Sequence, residues 1–96
     1  MYTFTITTLS AMPYAQAKVV KHEDGSITLR SYYTDVAHIT AGGWLYIFGL
    51  YSATTRKHIG AFMREYANST YQLAKQLYKD GLVYNIITGE VQKKAV

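Results

Sequence analysis

The sequence predicts an α+β fold, in which a small antiparallel sheet of three to five strands carries two short helices on one face. Two observations lead to this prediction. Several short stretches of the first half alternate apolar and polar residues with the period of two that is typical of strands. Two later stretches, about 54–67 and 70–80, repeat apolar residues with the helical period. Since no linker or low-complexity stretch divides the chain, residues 1–96 are expected to form a single domain.

The first half of the chain is predicted to consist of strands. Residues 2–8, YTFTITT, alternate strictly, whereas the next segment is ambiguous because Pro13 disfavours a helix and AKVVKH fits a strand. Asp24-Gly25 marks a hairpin turn before SITLRSYYT, and the extended pattern continues through DVAHIT to an Ala-Gly-Gly turn. The most apolar stretch, WLYIFGLYS, follows that turn, and its Gly49 indicates a bulge or a close backbone approach.

Two helices are predicted after these strands. Ser52 and Thr54 are both suited to cap the first helix. Its apolar stripe consists of Ile59, Phe62, Met63 and Tyr66. The second helix repeats the pattern and ends at Gly81, which suits the left-handed position after a helix. The remaining stretch LVYNIITGEVQ is predicted to form a short hairpin.

The composition excludes several classes of protein. The chain has no cysteine, so disulfides, Cys-based zinc sites and Cys nucleophiles are ruled out. Its longest apolar run, WLYIFGLY, is far shorter than the ~18–20 residues that span a bilayer. The N-terminus lacks the basic and apolar regions of a secretory signal, so we expect a cytoplasmic protein without a membrane partner.

The start of the first helix concentrates hydroxyl and cationic side chains. This cluster consists of Ser52, Thr54, Thr55, Arg56, Lys57 and His58. Cations at a helix N-terminus cost roughly 0.3–1 kcal/mol each, and no structural return for that cost is visible in the sequence. Free amides, hydroxyls and cations together suit a phosphate or a carboxylate. The alternative is a well-capped helix start whose charges are simply solvated.

Two further groups of residues extend the predicted surface. Arg64, Lys75 and Lys79 would join the cluster if the two helices lay side by side, and they would otherwise form a solvated helix face. The chain also carries ten tyrosines, more than a core of this size is expected to bury. Tyr32, Trp44 and Tyr46 are candidates for aromatic contacts with a partner or for stacking on bases, although no RNA-recognition-motif segment is present.

Residues that would support catalysis or cofactor binding are not apparent. The three histidines show no metal-ligand spacing, and the chain contains neither a nucleophile elbow nor a glycine-rich phosphate loop. Six acidic residues leave little material for paired carboxylates. We therefore predict a protein that is not an enzyme and that has no metal or cofactor.

Two parts of the chain follow the patterns SYxTxVAxI and YSxTTxxHIxxF. They are carried by Ser31, Tyr32, Thr34, Val36, Ala37 and Ile39, then by Tyr51, Ser52, Thr54, Thr55, His58, Ile59 and Phe62. The pattern resembles a family of small uncharacterised proteins of bacteriophages and other bacterial mobile elements. The resemblance implies a bacterial host cell and a binding role, and it brings no catalytic residues with it.

Two hypotheses for function follow. The first is a protein that binds and inhibits a host nucleic-acid-handling complex, most specifically an anti-CRISPR-like inhibitor of a Cas nuclease effector. The second is a small basic regulator that contacts DNA or RNA phosphates through the helix beginning at Thr54, as the net charge of +4 permits. A homodimer is plausible in either case, since a domain this small often gains buried surface by self-association.

Overall fold

The computed structural model describes residues 4–94 and contains seven strands and two helices over that range. The strands are β1 (Phe4–Thr8), β2 (Ala17–His22), β3 (Ile27–Ser31), β4 (Thr34–Ile39), β5 (Trp44–Ile47), β6 (Leu82–Asn85) and β7 (Val91–Lys93). The helices α1 (Ala53–Tyr66) and α2 (Tyr71–Asp80) lie between β5 and β6 in the chain. Residues 2 and 3, which were predicted to begin the first strand, lie outside the described residues.

All the strands belong to one antiparallel sheet whose spatial order follows the chain, β1-β2-β3-β4-β5-β6-β7. The α+β class is therefore confirmed, but the predicted count of three to five strands is wrong. The sheet gains strands because the ambiguous segment after Pro13 does form β2 and because the closing hairpin contributes both β6 and β7.

A further strand arises because a turn interrupts the stretch SITLRSYYTDVAHIT, which the sequence pattern predicts to be extended without a break. β3 ends at Ser31 and β4 starts at Thr34, with Tyr32 at a φ of 57° between them. Left-handed backbone is unusual for a tyrosine, and neither glycine nor proline marks this turn in the sequence. The conformation is held in place by neighbouring structure, since the amide of Tyr32 donates to the carbonyl of Gln16 at 2.7 Å.

The core lies between the helices and one face of the sheet. Leu29 of β3 and Phe62 of α1 are among its fully buried side chains. On the opposite face, consecutive strands place Ile6, Val20, Thr28, His38 and Tyr46 side by side. Since side chains alternate across a strand, this second set cannot reach the helical layer.

The helix ends agree with the predicted positions to within a residue or two. Ser52 rather than Thr54 caps α1, because its Oγ accepts the amide of Thr55 at 3.2 Å. Gly81 follows α2 in the left-handed conformation. Gly49 lies beyond the end of β5, where the ring of Tyr51 covers it so closely that a Cβ atom would stand 2.6 Å from that ring. Neither helix has the length and apolar character that crossing a membrane requires.

Candidate functional site

An open pocket of about 410 Å³ lies where α1, the start of α2 and the segment between β1 and β2 meet. It is lined by Met12, Arg56, Lys57, Gly60, Arg64 and Tyr71. Most of the lining surface is apolar, and the described lining residues include no acidic side chain. We call this feature the cationic pocket.

The helical repeat of α1 explains how the pocket acquires its cations. Ser52 fixes where the helix begins, and the buried stripe that includes Phe62 fixes its rotation on the sheet. With about 100° per residue, Lys57, Gly60 and Arg64 then share one side of α1, where both cations are exposed and Gly60 is buried beside Tyr71. The sequence pattern predicts that the three residues share one side, and the structure shows that these residues line a pocket.

Gly60 has no side chain and therefore leaves space in the pocket. A Cβ atom at this position would stand 3.5 Å from Nη1 of Arg64 and 3.5 Å from Cβ of Tyr71. Both are ordinary van der Waals distances, so a methyl group would fit and would occupy part of the pocket. A glycine inside a helix costs roughly 0.5–1 kcal/mol relative to alanine. α1 therefore carries a destabilising residue in the lining of the pocket.

Met12 and Tyr71 complete the pocket from outside α1, and sequence reasoning missed both. The carboxylate of Glu65 accepts from the amide of Ser10 at 2.8 Å and from its hydroxyl at 3.1 Å, which ties the segment after β1 to the outside of α1. Leu9 is fully buried in the core and anchors the same segment. These long-range contacts have no local sequence signal, because they join residues that are far apart in the chain.

The electrostatics of the pocket favour an anion. Arg56, Lys57 and Arg64 are exposed and have no ion-pair partner within residues 4–94. The first turn of α1 contains no acidic residue that would offset its N-terminal partial positive charge. Exposed cations around an apolar floor can bind a ligand that combines negative charge with an apolar or aromatic group.

Thr55 and His58 belong to the same helix start but point into the protein. His58 is only 1% exposed, and its Nδ1 lies 2.9 Å from Oγ of Ser31, which in turn lies 3.0 Å from Oγ1 of Thr55. Burial lowers the pKa of His58 below its ordinary value of 6.5, so the ring is neutral at pH 7. The hydroxyl of Ser52 extends the network by donating to Thr55 Oγ1 at 3.3 Å.

This buried network joins the two halves of the sequence pattern, because Ser31 comes from the first half and Ser52, Thr55 and His58 from the second. No buried side-chain nitrogen or oxygen in the described range lacks a hydrogen-bond partner. The network holds the start of α1 against the end of β3 and thereby positions the cations on the outer side. Thr55 and His58 themselves do not reach the pocket, whereas Thr54 is exposed at the helix start.

The two lysines of α2 lie beside the pocket rather than in it. Lys75 follows Tyr71 by one helical turn and Lys79 follows it by two, and both side chains are exposed. They extend the basic surface from the pocket along α2.

The three candidate aromatic residues do not share one surface. Trp44 and Tyr46 alternate on β5 and lie on the sheet face opposite the helices, where Tyr46 is paired with His38. Tyr32 lies in the turn after β3, on the helical side, with its ring centroid 6.0 Å from that of His58. A single stacking surface made of all three rings is therefore not present.

Histidines also meet on that second face. Oγ1 of Thr28 lies 2.9 Å from Nε2 of His22 and 2.8 Å from Nδ1 of His38. Burial and the neighbouring His22 lower the pKa of His38, while Asp24 and Asp35 act in the opposite direction. Across the described residues, no three His, Asp or Glu side chains are arranged to hold a metal ion.

The fold and the site together define a small α+β protein with a cationic pocket on its helical layer. The chain belongs to a family of unknown function, DUF8033, whose sequence model matches residues 4–80. That range includes every residue found to line the pocket. No curated protein and no solved structure matches the chain.

Proposed function

We propose that this protein is a non-enzymatic binding protein of a bacteriophage or another mobile element, and that it inhibits a nucleic-acid-handling complex of the bacterial host. In its most specific form, the proposal is an anti-CRISPR-like inhibitor that binds a Cas nuclease effector in the cytoplasm. The observation that carries the binding role is the cationic pocket, with three cations that have no ion-pair partner among residues 4–94 around an apolar floor. The mobile-element context rests on the sequence resemblance alone.

The shape of the pocket favours a ligand that inserts a group as well as one that offers charge. Its volume of about 410 Å³ falls within the ~300–1,000 Å³ of typical ligand pockets. An acidic protein segment with an aromatic or aliphatic residue would place that residue on the floor formed by Met12, Gly60 and Tyr71. Its carboxylates would then meet Arg56, Lys57 and Arg64 at the rim.

Direct binding of DNA or RNA is the second candidate, and the two lysines of α2 favour it. Lys75 and Lys79 continue the basic surface beyond the pocket, as a nucleic-acid backbone would require. A base could stack on Tyr71 while the phosphates of the nucleic-acid backbone contact the cations at the rim of the pocket. The net charge of +4 is compatible with both candidates.

Affinity capture from a bacterial lysate, with and without nuclease treatment, tests the first proposal. We expect a nucleic-acid-handling complex to be retained after digestion, and Arg56→Glu combined with Lys57→Glu to weaken its capture at least about tenfold. Lys18→Glu combined with Lys93→Glu is the matched control, because it makes the same change in net charge at exposed residues of the sheet. Equal losses in both double variants would contradict a role for the pocket.

Salt dependence separates the two candidates. Phosphate binding loses affinity steeply as salt rises, whereas an interface anchored by an apolar group responds weakly. The inhibitor proposal fails, and the nucleic-acid binder is supported, if capture yields only nucleic acid and nuclease treatment abolishes it. In that case Lys75→Glu combined with Lys79→Glu should weaken capture from the untreated lysate.

A further inference from the structure

The two edges of the sheet differ in how well they are protected against pairing with another strand. β7 has three residues and carries Lys93, and Lys94 follows directly. Short strands and lysines are common ways of blocking an edge. β1 has five residues, FTITT, with no charge, proline or glycine. The described chain therefore has one protected edge and one open edge.

The hydrogen bonds of β2 show which backbone groups of β1 are available. His22 donates its amide to the carbonyl of Ser26, and Gln16, the residue just before β2, accepts the amide of Tyr32. The even-numbered residues of β2 therefore direct their backbone groups towards β3. Its odd-numbered residues therefore bond to β1, where Lys21 and Val19 are opposite Thr5 and Thr7. This alternation leaves the backbone groups of Phe4, Ile6 and Thr8 directed outwards.

We propose that the open edge of β1 is a dimerisation site, at which a second copy of this chain adds its own β1 in antiparallel orientation, with the two-fold axis beside Ile6. In this register Ile6 faces Ile6 of the second copy, and Phe4 faces Thr8. All three outward-directed residues then meet partners whose backbone groups are also directed outwards, and the pairing completes an antiparallel ladder. The sequence of β1 is thus compatible with itself in the way that a symmetric interface requires.

Side chains at this edge support the same pairing. Ile6 is 55% exposed and lies opposite Val20, on the face away from the helices. In the dimer its side chain would pack against Ile6 of the second copy, which is a favourable cross-strand pair for a sheet. Pairing therefore covers an exposed apolar residue at the centre of the strand.

The basic charge of the chain does not oppose this arrangement. The nearest lysines to the edge, Lys18 and Lys21, are on β2. Three strand spacings separate β2 of one copy from β2 of the other, a distance of about 14 Å. Since the Debye length at physiological salt is about 8 Å, repulsion between these lysines is largely screened.

Sedimentation equilibrium from low micromolar to submillimolar concentration tests the proposal. We expect the average mass to rise from that of one chain towards that of two. Ile6→Pro removes the amide hydrogen that points outwards and leaves the β1–β2 ladder intact, so we expect it to raise the dimer dissociation constant at least about tenfold. Ile6→Lys keeps the amide but places a charge at the centre of the interface, and it should act in the same direction.

Val91→Lys on β7 is the matched control, since Val91 is 51% exposed and lies on the opposite edge of the sheet. This variant should dimerise as the wild type does. Urea midpoints of all variants establish whether each remains folded. The proposal is overturned if the wild type stays monomeric at the highest concentration. It is equally overturned if a dimer persists in folded Ile6→Pro and Ile6→Lys, or if it is lost in folded Val91→Lys.

Discussion

Replacing glycine by alanine should have opposite effects on stability at two positions, Gly60 and Gly81. At Gly60, inside α1, an added Cβ finds its nearest neighbours at 3.5 Å and meets no clash. At Gly81, after α2, nothing lies within 4 Å of an added Cβ, but φ is +64°. Space therefore permits both substitutions, and the backbone conformation distinguishes them.

The expected magnitudes follow from the conformation of each residue. Alanine at Gly60 should raise the free energy of unfolding by about 1 kcal/mol, the difference in helix propensity between the two residues. Alanine at Gly81 should lower it by about 1–2 kcal/mol, the cost of left-handed backbone for a residue with a Cβ atom. For a domain of this size, 1 kcal/mol corresponds to a change in melting temperature of about 4–8 °C.

Urea unfolding followed by circular dichroism measures both changes, and the slope of the transition shows whether the unfolded state is altered. Gly60→Ala should also weaken binding of any ligand that reaches the pocket floor, despite the higher stability. A loss of stability in Gly60→Ala would refute the reasoning, because it would mean that the contact between α1 and Tyr71 cannot accept a methyl group. A neutral Gly81→Ala would refute the assigned left-handed cap.

Three further predictions concern the caps and the titratable groups. Ser52→Ala should lower the free energy of unfolding by about 1 kcal/mol, whereas Thr70→Ala at the start of α2, where no side-chain cap bond forms, should change it much less in the same urea assay. Because the pKa of His58 is lowered in the folded protein, the unfolded state takes up protons first, so urea midpoints should fall as pH drops below about 6.5. His58→Gln should reduce that pH dependence, and an unchanged dependence would contradict the role of this residue. Burial and Glu65 raise the pKa of Tyr66 to about 12, so stability should also fall above pH 10, and Tyr66→Phe should remove this loss.

The predicted fold succeeded where the signal is local and failed where it is not. The helical repeat and the terminal glycine placed α1 and α2 closely. The turn at Tyr32 was missed because its left-handed backbone is held by a contact with the residue just before β2, the carbonyl of Gln16. A residue type that disfavours this conformation gives no sign of such a contact.

The same distinction between local and long-range signals applies to the predicted site. Helical periodicity placed Lys57, Gly60 and Arg64 on one side of α1, because one period relates them all, and in the structure the three residues line the same pocket, with Gly60 buried and the two cations exposed. It could not show that Met12 and Tyr71 close a pocket over them, since that depends on how distant segments pack. His58 illustrates the converse case, in which a residue next to the cations in sequence is buried against Ser31.

The sequence by itself determined the α+β class, both helices and the concentration of cations at the start of α1, because each depends on neighbours within a few residues, whereas the choice of Ser52 over Thr54 as the cap came from the structure. Only the tertiary structure decided the seven-stranded sheet, the open edge at β1 and the enclosure of the cationic pocket. Those features arise from pairing and packing between segments that are distant in the chain. The sequence of one segment alone does not show which distant segment it contacts.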